Sequence, residues 1–176
     1  MASTRGEMTT TLILGGARSG KTSLALKRAE AWPGRPVMIA TAEALDEEMA
    51  ERIEHHKAER GPAWRTIEAP LALAEALAGL AADEIAVVDC LTLWLSNLMH
   101  AERDLEAETH RLIAALAGRE LILVSNEVGL GIVPEIPLGR RFRDAAGRLN
   151  QAIAAAADQV LFVAAGLPLV LKGGAA

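Results

Sequence analysis

Residues 15–22 read Gly15-Gly16-Ala17-Arg18-Ser19-Gly20-Lys21-Thr22, and no other stretch constrains the fold as much. Glycines at the first and sixth places, then lysine and a hydroxyl residue, make a spacing that lets backbone N–H groups converge on phosphate oxygens. The device works only between a strand and a helix, because the helix N-terminus supplies part of the positive potential. Both flanks are present. Thr10–Leu14 is a short β-rich run that ends in Gly15-Gly16, and Thr22–Trp32 is an amphipathic segment stopped by Pro33-Gly34. In such a cradle Lys21 reaches the β- and γ-phosphates and the Thr22 hydroxyl ligates Mg²⁺.

The same alternation continues along the chain. Pro36–Ala40, Ala63–Glu68, Ile85–Asp89, Leu121–Ser125, Val160–Ala164 and Leu169–Leu171 have strand character. Helices are predicted over Leu45–Arg60, Pro70–Leu80, Leu91–His100, Glu106–Ala117 and Leu138–Ala157. Ile85–Asp89 and Leu121–Ser125 show little polar alternation, as expected of strands covered on both faces. The order predicts an α/β, three-layer P-loop NTPase-like fold with a mainly parallel sheet flanked by helices. The 176 residues suit one domain. We expect a loose N-terminal tail over 1–8, one domain over 9–172 and a loose end over 173–176.

Composition removes several function classes. Three Trp, two Phe and no Tyr leave little to stack bases on, and a net charge of −5 gives no general footprint for nucleic acid. The single cysteine, Cys90, rules out an intrachain disulfide and fits a reducing compartment such as the cytoplasm. The most apolar stretches, Ile85–Met99 and Ala152–Leu171, carry Asp89 and Asp158, so they read as core elements and not as membrane spans.

Two further features bear on chemistry. Ile85-Ala86-Val87-Val88-Asp89 brings a carboxylate to the end of an apolar strand, the arrangement expected on the Mg²⁺ side of a phosphate cradle. Its competing reading is a cap on the helix that starts near Leu91. The segment Glu54-His55-His56-Lys57-Ala58-Glu59-Arg60 lies on the helix predicted from Leu45. At ~100° per residue, with Leu45 at zero, Met49 falls near ~40°, Ile53 near ~80° and His56 near ~20°, while His55 falls near ~280°. His56 therefore sits in the apolar stripe. Two roles stay open for it: a hydrogen-bonded core histidine, or a nucleophile that attacks phosphorus. Lys57 and Arg60 either offset phosphate charge or occupy a solvated helix C-terminus.

Taken together, these blocks resemble one family. Leu14–Thr22, Ile39-Ala40-Thr41, Asp46–Met49, Arg52-Ile53-Glu54-His55-His56-Lys57, Trp64–Glu68, Asn126–Glu135 and Arg141–Gln151 are similar, in this order, to the adenosylcobinamide kinase/adenosylcobinamide-phosphate guanylyltransferases. The likeness runs from about Thr11 to Lys172. The resemblance implies two reactions: phosphorylation of adenosylcobinamide by ATP or GTP, then transfer of GMP from GTP to the phosphate through a guanylylated histidine. It puts that histidine at His56. It assigns Ala40, Thr41, Ala42, Lys57, Ala58, Glu59, Arg60 and Glu68 to the guanine-nucleotide site, beside Gly15–Thr22 and Asp89. It implies a trimer. Two departures, Asp89 where the family often has Glu and Thr22 where it often has Ser, keep the ligand chemistry. A kinase without the second activity is the alternative.

The segment Asn126–Pro137 follows a strand and should lie at the carboxyl edge of the sheet. It reads either as a lid over a corrinoid or as an ordinary connector. Arg140, Arg141, Arg143 and Arg148 share the next helix and pair with carboxylates such as Asp144, or one reaches a phosphate in a neighbouring subunit.

Overall fold

Seven strands and five helices make up the described part of this computed structural model, which covers residues 8–43 and 61–174. In chain order they are β1 (Thr10–Gly15), α1 (Lys21–Ala31), β2 (Arg35–Ala40), β3 (Arg65–Glu68), α2 (Leu73–Ala78) and β4 (Glu84–Asp89). Then come α3 (Leu91–His100), α4 (Leu105–Leu116), β5 (Glu120–Asn126), α5 (Pro137–Ala156), β6 (Gln159–Ala164) and β7 (Leu167–Lys172). They form one sheet in the order β3-β2-β4-β5-β1-β6-β7. Every neighbouring pair is parallel except β6 with β7. The helix predicted over Leu45–Arg60, with the two histidines, lies outside the described residues.

Strict alternation divides the core into two layers. Leu12, Leu14, Val37, Ile39, Val88, Leu121 and Leu123 face one side of the sheet and pack with Leu73, Trp94, Leu98, Leu112 and Leu149. These come from α2, α3, α4 and α5. Ile13, Met38, Val87, Ile122, Val124 and Leu161 face the other side and pack with Ala25 and Ala29 of α1. Both faces of the central strands are therefore dry, which is why their sequences lack polar alternation.

Boundaries shift by a few residues where local chemistry decides them. Helix α1 begins at Lys21, one residue before the expected Thr22, because Gly20 takes the N-cap place with a φ of 97°. Helix α4 begins at Leu105, where the Asp104 carboxylate accepts from the N–H groups of Glu106 and Ala107. Helix α5 starts at Pro137, a residue whose fixed φ suits the first turn. Helix α2 starts at Leu73, three residues past the expected Pro70, and spans six residues. Strand β7 is longer than expected and turns back antiparallel through Ala165 and Gly166, with φ of 51° and 78°. Two consecutive left-handed residues make the tight hairpin turn that matches strand twist.

Candidate nucleotide-binding site

The cradle begins where β1 ends. Gly15 is packed so closely that an added Cβ would lie 2.5 Å from the Val163 carbonyl and 2.6 Å from the Ser19 hydroxyl. Arg18 and Gly20 both have positive φ, 53° and 97°, a backbone that turns a short loop around a centre. The β6–β7 turn braces it from outside. The Gly166 N–H donates to the Ser19 carbonyl at 2.8 Å, and an added Cβ on Gly20 would meet Gly166 at 3.2 Å. Sequence reasoning missed Gly166; the Ala165-Gly166 step before a short apolar run was the available signal.

At the mouth of α1 the charge is arranged for an anion. Helix α1 has no side-chain cap and no acidic residue in its first turn, so its first N–H groups and its positive end face the loop. Lys21 is 7% exposed, and its ammonium donates to the Gly16 carbonyl at 2.7 Å. Burial pushes the Lys21 pKa below its ordinary value, opposed by the charge of Asp89. Burial also pushes the Cys90 thiol up, reinforced by Asp89, so Cys90 stays protonated and the acid beside Lys21 is Asp89. Among the described residues, Ser19 Oγ is the buried side-chain polar atom that has no hydrogen-bond partner. A buried, unpartnered hydroxyl within this loop suits an oxyanion.

Asp89 reaches this centre from β4, two strands from β1 with β5 between, a lateral step of about 10 Å. The Thr22 hydroxyl lies 3.3 Å from Asp89 Oδ2. Cys90, not Asp89, occupies the N-cap place of α3, and its side chain makes no cap. One hydroxyl and one carboxylate are hard oxygen donors, the kind Mg²⁺ takes one or two of before completing its shell with phosphate and water.

The remaining predicted residues fall into a second group. Ala40, Glu68 and Asp89 are in register at the ends of β2, β3 and β4. Glu68 stands four strands from β1, about 19 Å away along the sheet, and so does not share the phosphate cradle. Thr41 is fully buried. Its hydroxyl donates to the Cys90 carbonyl at 2.7 Å and accepts from the Cys90 N–H at 2.9 Å, so it ties the end of β2 to the turn after Asp89. Asn97, whose role sequence reasoning also missed, donates to the carbonyls of Thr41 at 2.7 Å and Pro70 at 3.0 Å. Ala42 follows on the same edge, while His56, Lys57, Ala58, Glu59 and Arg60 lie outside the described residues.

Between the two groups stands the end of β5. Asn126 is in register with Gly15. Its N–H donates to the Thr92 hydroxyl at 2.7 Å and its carbonyl accepts from Asn150 at 3.4 Å. Ser125 completes this buried network by donating to Asn150 Oδ1 at 2.7 Å. Of the arginines on α5, Arg143 pairs with Asp144 at 2.9 Å, and Arg140 donates to the carbonyls of Pro134 and Glu135.

The mainly parallel sheet and the glycine-rich loop between β1 and α1 together define a protein of the P-loop nucleotide-binding fold. In fold the chain is similar to the flagellar accessory protein FlaH from Methanocaldococcus jannaschii, with a TM-score of 0.54 and 14% identity, over 94% of this chain and 79% of that one. It is likewise similar to an ATPase domain of known structure, with a TM-score of 0.50 and 13% identity, over 89% of this chain and 69% of that one. Within that class the chain belongs to the cobinamide kinase / cobinamide phosphate guanyltransferase family, whose profile matches residues 11–171. It is 52% identical to the bifunctional adenosylcobalamin biosynthesis protein CobP of Pseudomonas aeruginosa, over 92% of this chain and 96% of that protein. It is 42% identical to the bifunctional CobU of Salmonella typhimurium, over 92% and 98%. No helix among the described residues is long and apolar enough to cross a membrane.

Proposed function

We propose that this chain is a bifunctional enzyme that phosphorylates the hydroxyl of adenosylcobinamide from ATP or GTP, then converts the product to adenosylcobinamide-GDP with GTP. The observation that carries the reading is the cradle with its opposed pair, Lys21 on the Gly16 carbonyl and Thr22 facing Asp89, in a chain of this family. In the first reaction the acceptor oxygen attacks the γ-phosphorus, the bond to the β-phosphate oxygen breaks, and the nucleoside diphosphate leaves. Such a transfer depends on positioning and on charge compensation. The Gly15–Thr22 amides and Lys21 hold the triphosphate. Thr22 and Asp89 would hold Mg²⁺, which neutralises phosphate charge when bound.

In the second reaction an imidazole nitrogen of His56 attacks the α-phosphorus of GTP and pyrophosphate leaves. An oxygen of adenosylcobinamide phosphate then attacks the same phosphorus, the N–P bond breaks, and His56 is restored. The wide separation of Glu68 from β1 supports a guanine nucleotide that extends along the β2–β3 edge, where Ala40, Thr41 and Ala42 also lie; the resemblance assigns Lys57–Arg60 to the same nucleotide. The proposed working form is a trimer in the cytoplasm, as the resemblance implies.

The deciding experiment is incubation with GTP labelled at the α-phosphate. We expect acid-labile, base-stable label on the protein, lost in His56→Ala and largely kept in His55→Ala, while His56→Ala retains kinase activity. Label that persists in His56→Ala and disappears in His55→Ala moves the nucleophile to His55. Kinase activity with no protein-bound GMP in the wild type reduces the function to the kinase alone.

A further inference from the structure

Nine large apolar side chains stand exposed among the described residues, and six of them fall in one run: Val128, Leu130, Ile132, Val133, Ile136 and Leu138. Leu130 is 81% and Ile132 98% exposed. A single exposed leucine needs no explanation, but a contiguous group marks a surface that something else covers. The run joins β5 to α5, and it is pinned at both ends. The Glu127 N–H donates to the Gly15 carbonyl at 3.0 Å. At the other end the Arg140 guanidinium binds the Pro134 and Glu135 carbonyls at 2.9 and 2.6 Å. The apolar surface therefore starts one residue past a direct hydrogen bond to the phosphate cradle.

We infer that this segment is the seat of the corrinoid: its apolar side chains lie against the macrocycle while the acceptor hydroxyl reaches the γ-phosphate held by Lys21. The inference rests on the proposed kinase reading. Two observations choose this occupant. An acceptor that meets the γ-phosphate must bring its bulk over the carboxyl edge of the sheet next to β1, and β5 is the strand beside β1 on that edge. The other exposed apolar residues, Leu167, Leu169 and Leu171, lie on the edge strand β7, on the far side of β6.

The test uses the full-length protein and the variants Leu130→Ser, Ile132→Ser and the double substitution. Both side chains are solvent-exposed, so the fold and the nucleotide site are expected to be unchanged, which the melting temperature and the KM for ATP check. The expected result for the double variant is a KM for cobinamide raised roughly tenfold or more, with kcat and the KM for ATP near wild type. Ile132→Val with Leu130→Met should restore it. Direct titration of cobinamide by calorimetry in the presence of ADP should show the same weakening in Kd. An unchanged KM and Kd in a folded double variant overturns the inference. So does a loss of oligomer mass by sedimentation with KM unchanged, which would make the segment a subunit contact. If the wild type binds cobinamide but does not phosphorylate it, the kinase reading fails, and the Kd comparison alone upholds or overturns the seat.

Discussion

Replacing Lys21 by methionine separates what the ammonium does for the fold from what it does for the reaction. The side chain is 7% exposed and donates to the Gly16 carbonyl at 2.7 Å. Methionine keeps most of the stem volume, so packing is largely preserved. Removing the ammonium orphans one carbonyl, worth about 1 kcal/mol. It also removes a cation that burial disfavours, as its lowered pKa shows, and that relief acts in the opposite direction. The nucleotide-free protein should therefore melt within a few degrees of the wild type. Catalysis is different. A unit charge about 4 Å from a phosphoryl oxygen contributes about 4 kcal/mol at an effective dielectric constant of about 20. Losing it from the transition state lowers kcat/KM by on the order of 10³. The assay pairs cobinamide phosphorylation with thermal melting, each with and without GTP. We expect a nearly unchanged Tm without nucleotide, little or no rise on adding GTP, and loss of both activities. Turnover within tenfold of wild type would refute the placement of the triphosphate. A large fall in Tm without nucleotide would instead show that the lysine is a structural ion.

Three other outcomes follow from the geometry. Chelation by EDTA should abolish turnover and added Mg²⁺ should restore it, while Asp89→Asn should raise the Mg²⁺ concentration needed for half-maximal rate; full activity in EDTA would remove the role given to Thr22 and Asp89. Burial acts to raise the Glu84 carboxyl, but the Ala81 N–H, Arg65 and Arg35 outweigh it and hold the group below its ordinary 4.5. Because the folded-state pKa is depressed, Glu84 contributes stability above about pH 4.5 that is lost as pH falls through the folded value. Glu84→Gln should accordingly be less stable than wild type at pH 7, with the gap closing as the pH falls below 4.5, and a gap of constant size would contradict the assigned charge. Asn150→Ala leaves the buried Ser125 hydroxyl and Asn126 carbonyl short of a partner, so urea unfolding should show a loss of about 1–3 kcal/mol; a change below about 0.5 kcal/mol, the ordinary scatter of surface substitutions, would mean water replaces the amide.

Much of the phosphate side of the site was legible in the sequence because its information is local. Eight consecutive residues specify the cradle, and backbone N–H groups there depend on glycine spacing and on the helix that follows, not on distant partners. The apolar runs gave the strands for the same reason: burial on both faces writes itself into uninterrupted Val, Ile and Leu. Tertiary structure decided what depends on strand order. That Asp89 faces Thr22 follows from β4 lying two strands from β1, and nothing within Ile85–Asp89 encodes that neighbour. The support of the cradle by Gly166, the capture of Thr41 by Cys90 and the anchoring of Asn126 by Thr92 and Asn150 are likewise bonds between residues far apart in sequence. The exposed surface on 128–138 is the reverse case. Its residue types were visible in the chain, but the segment read equally well as a lid over a corrinoid or as an ordinary connector. Only the folded sheet, with its own core already filled from both sides, left those side chains facing water next to the Gly15–Thr22 loop.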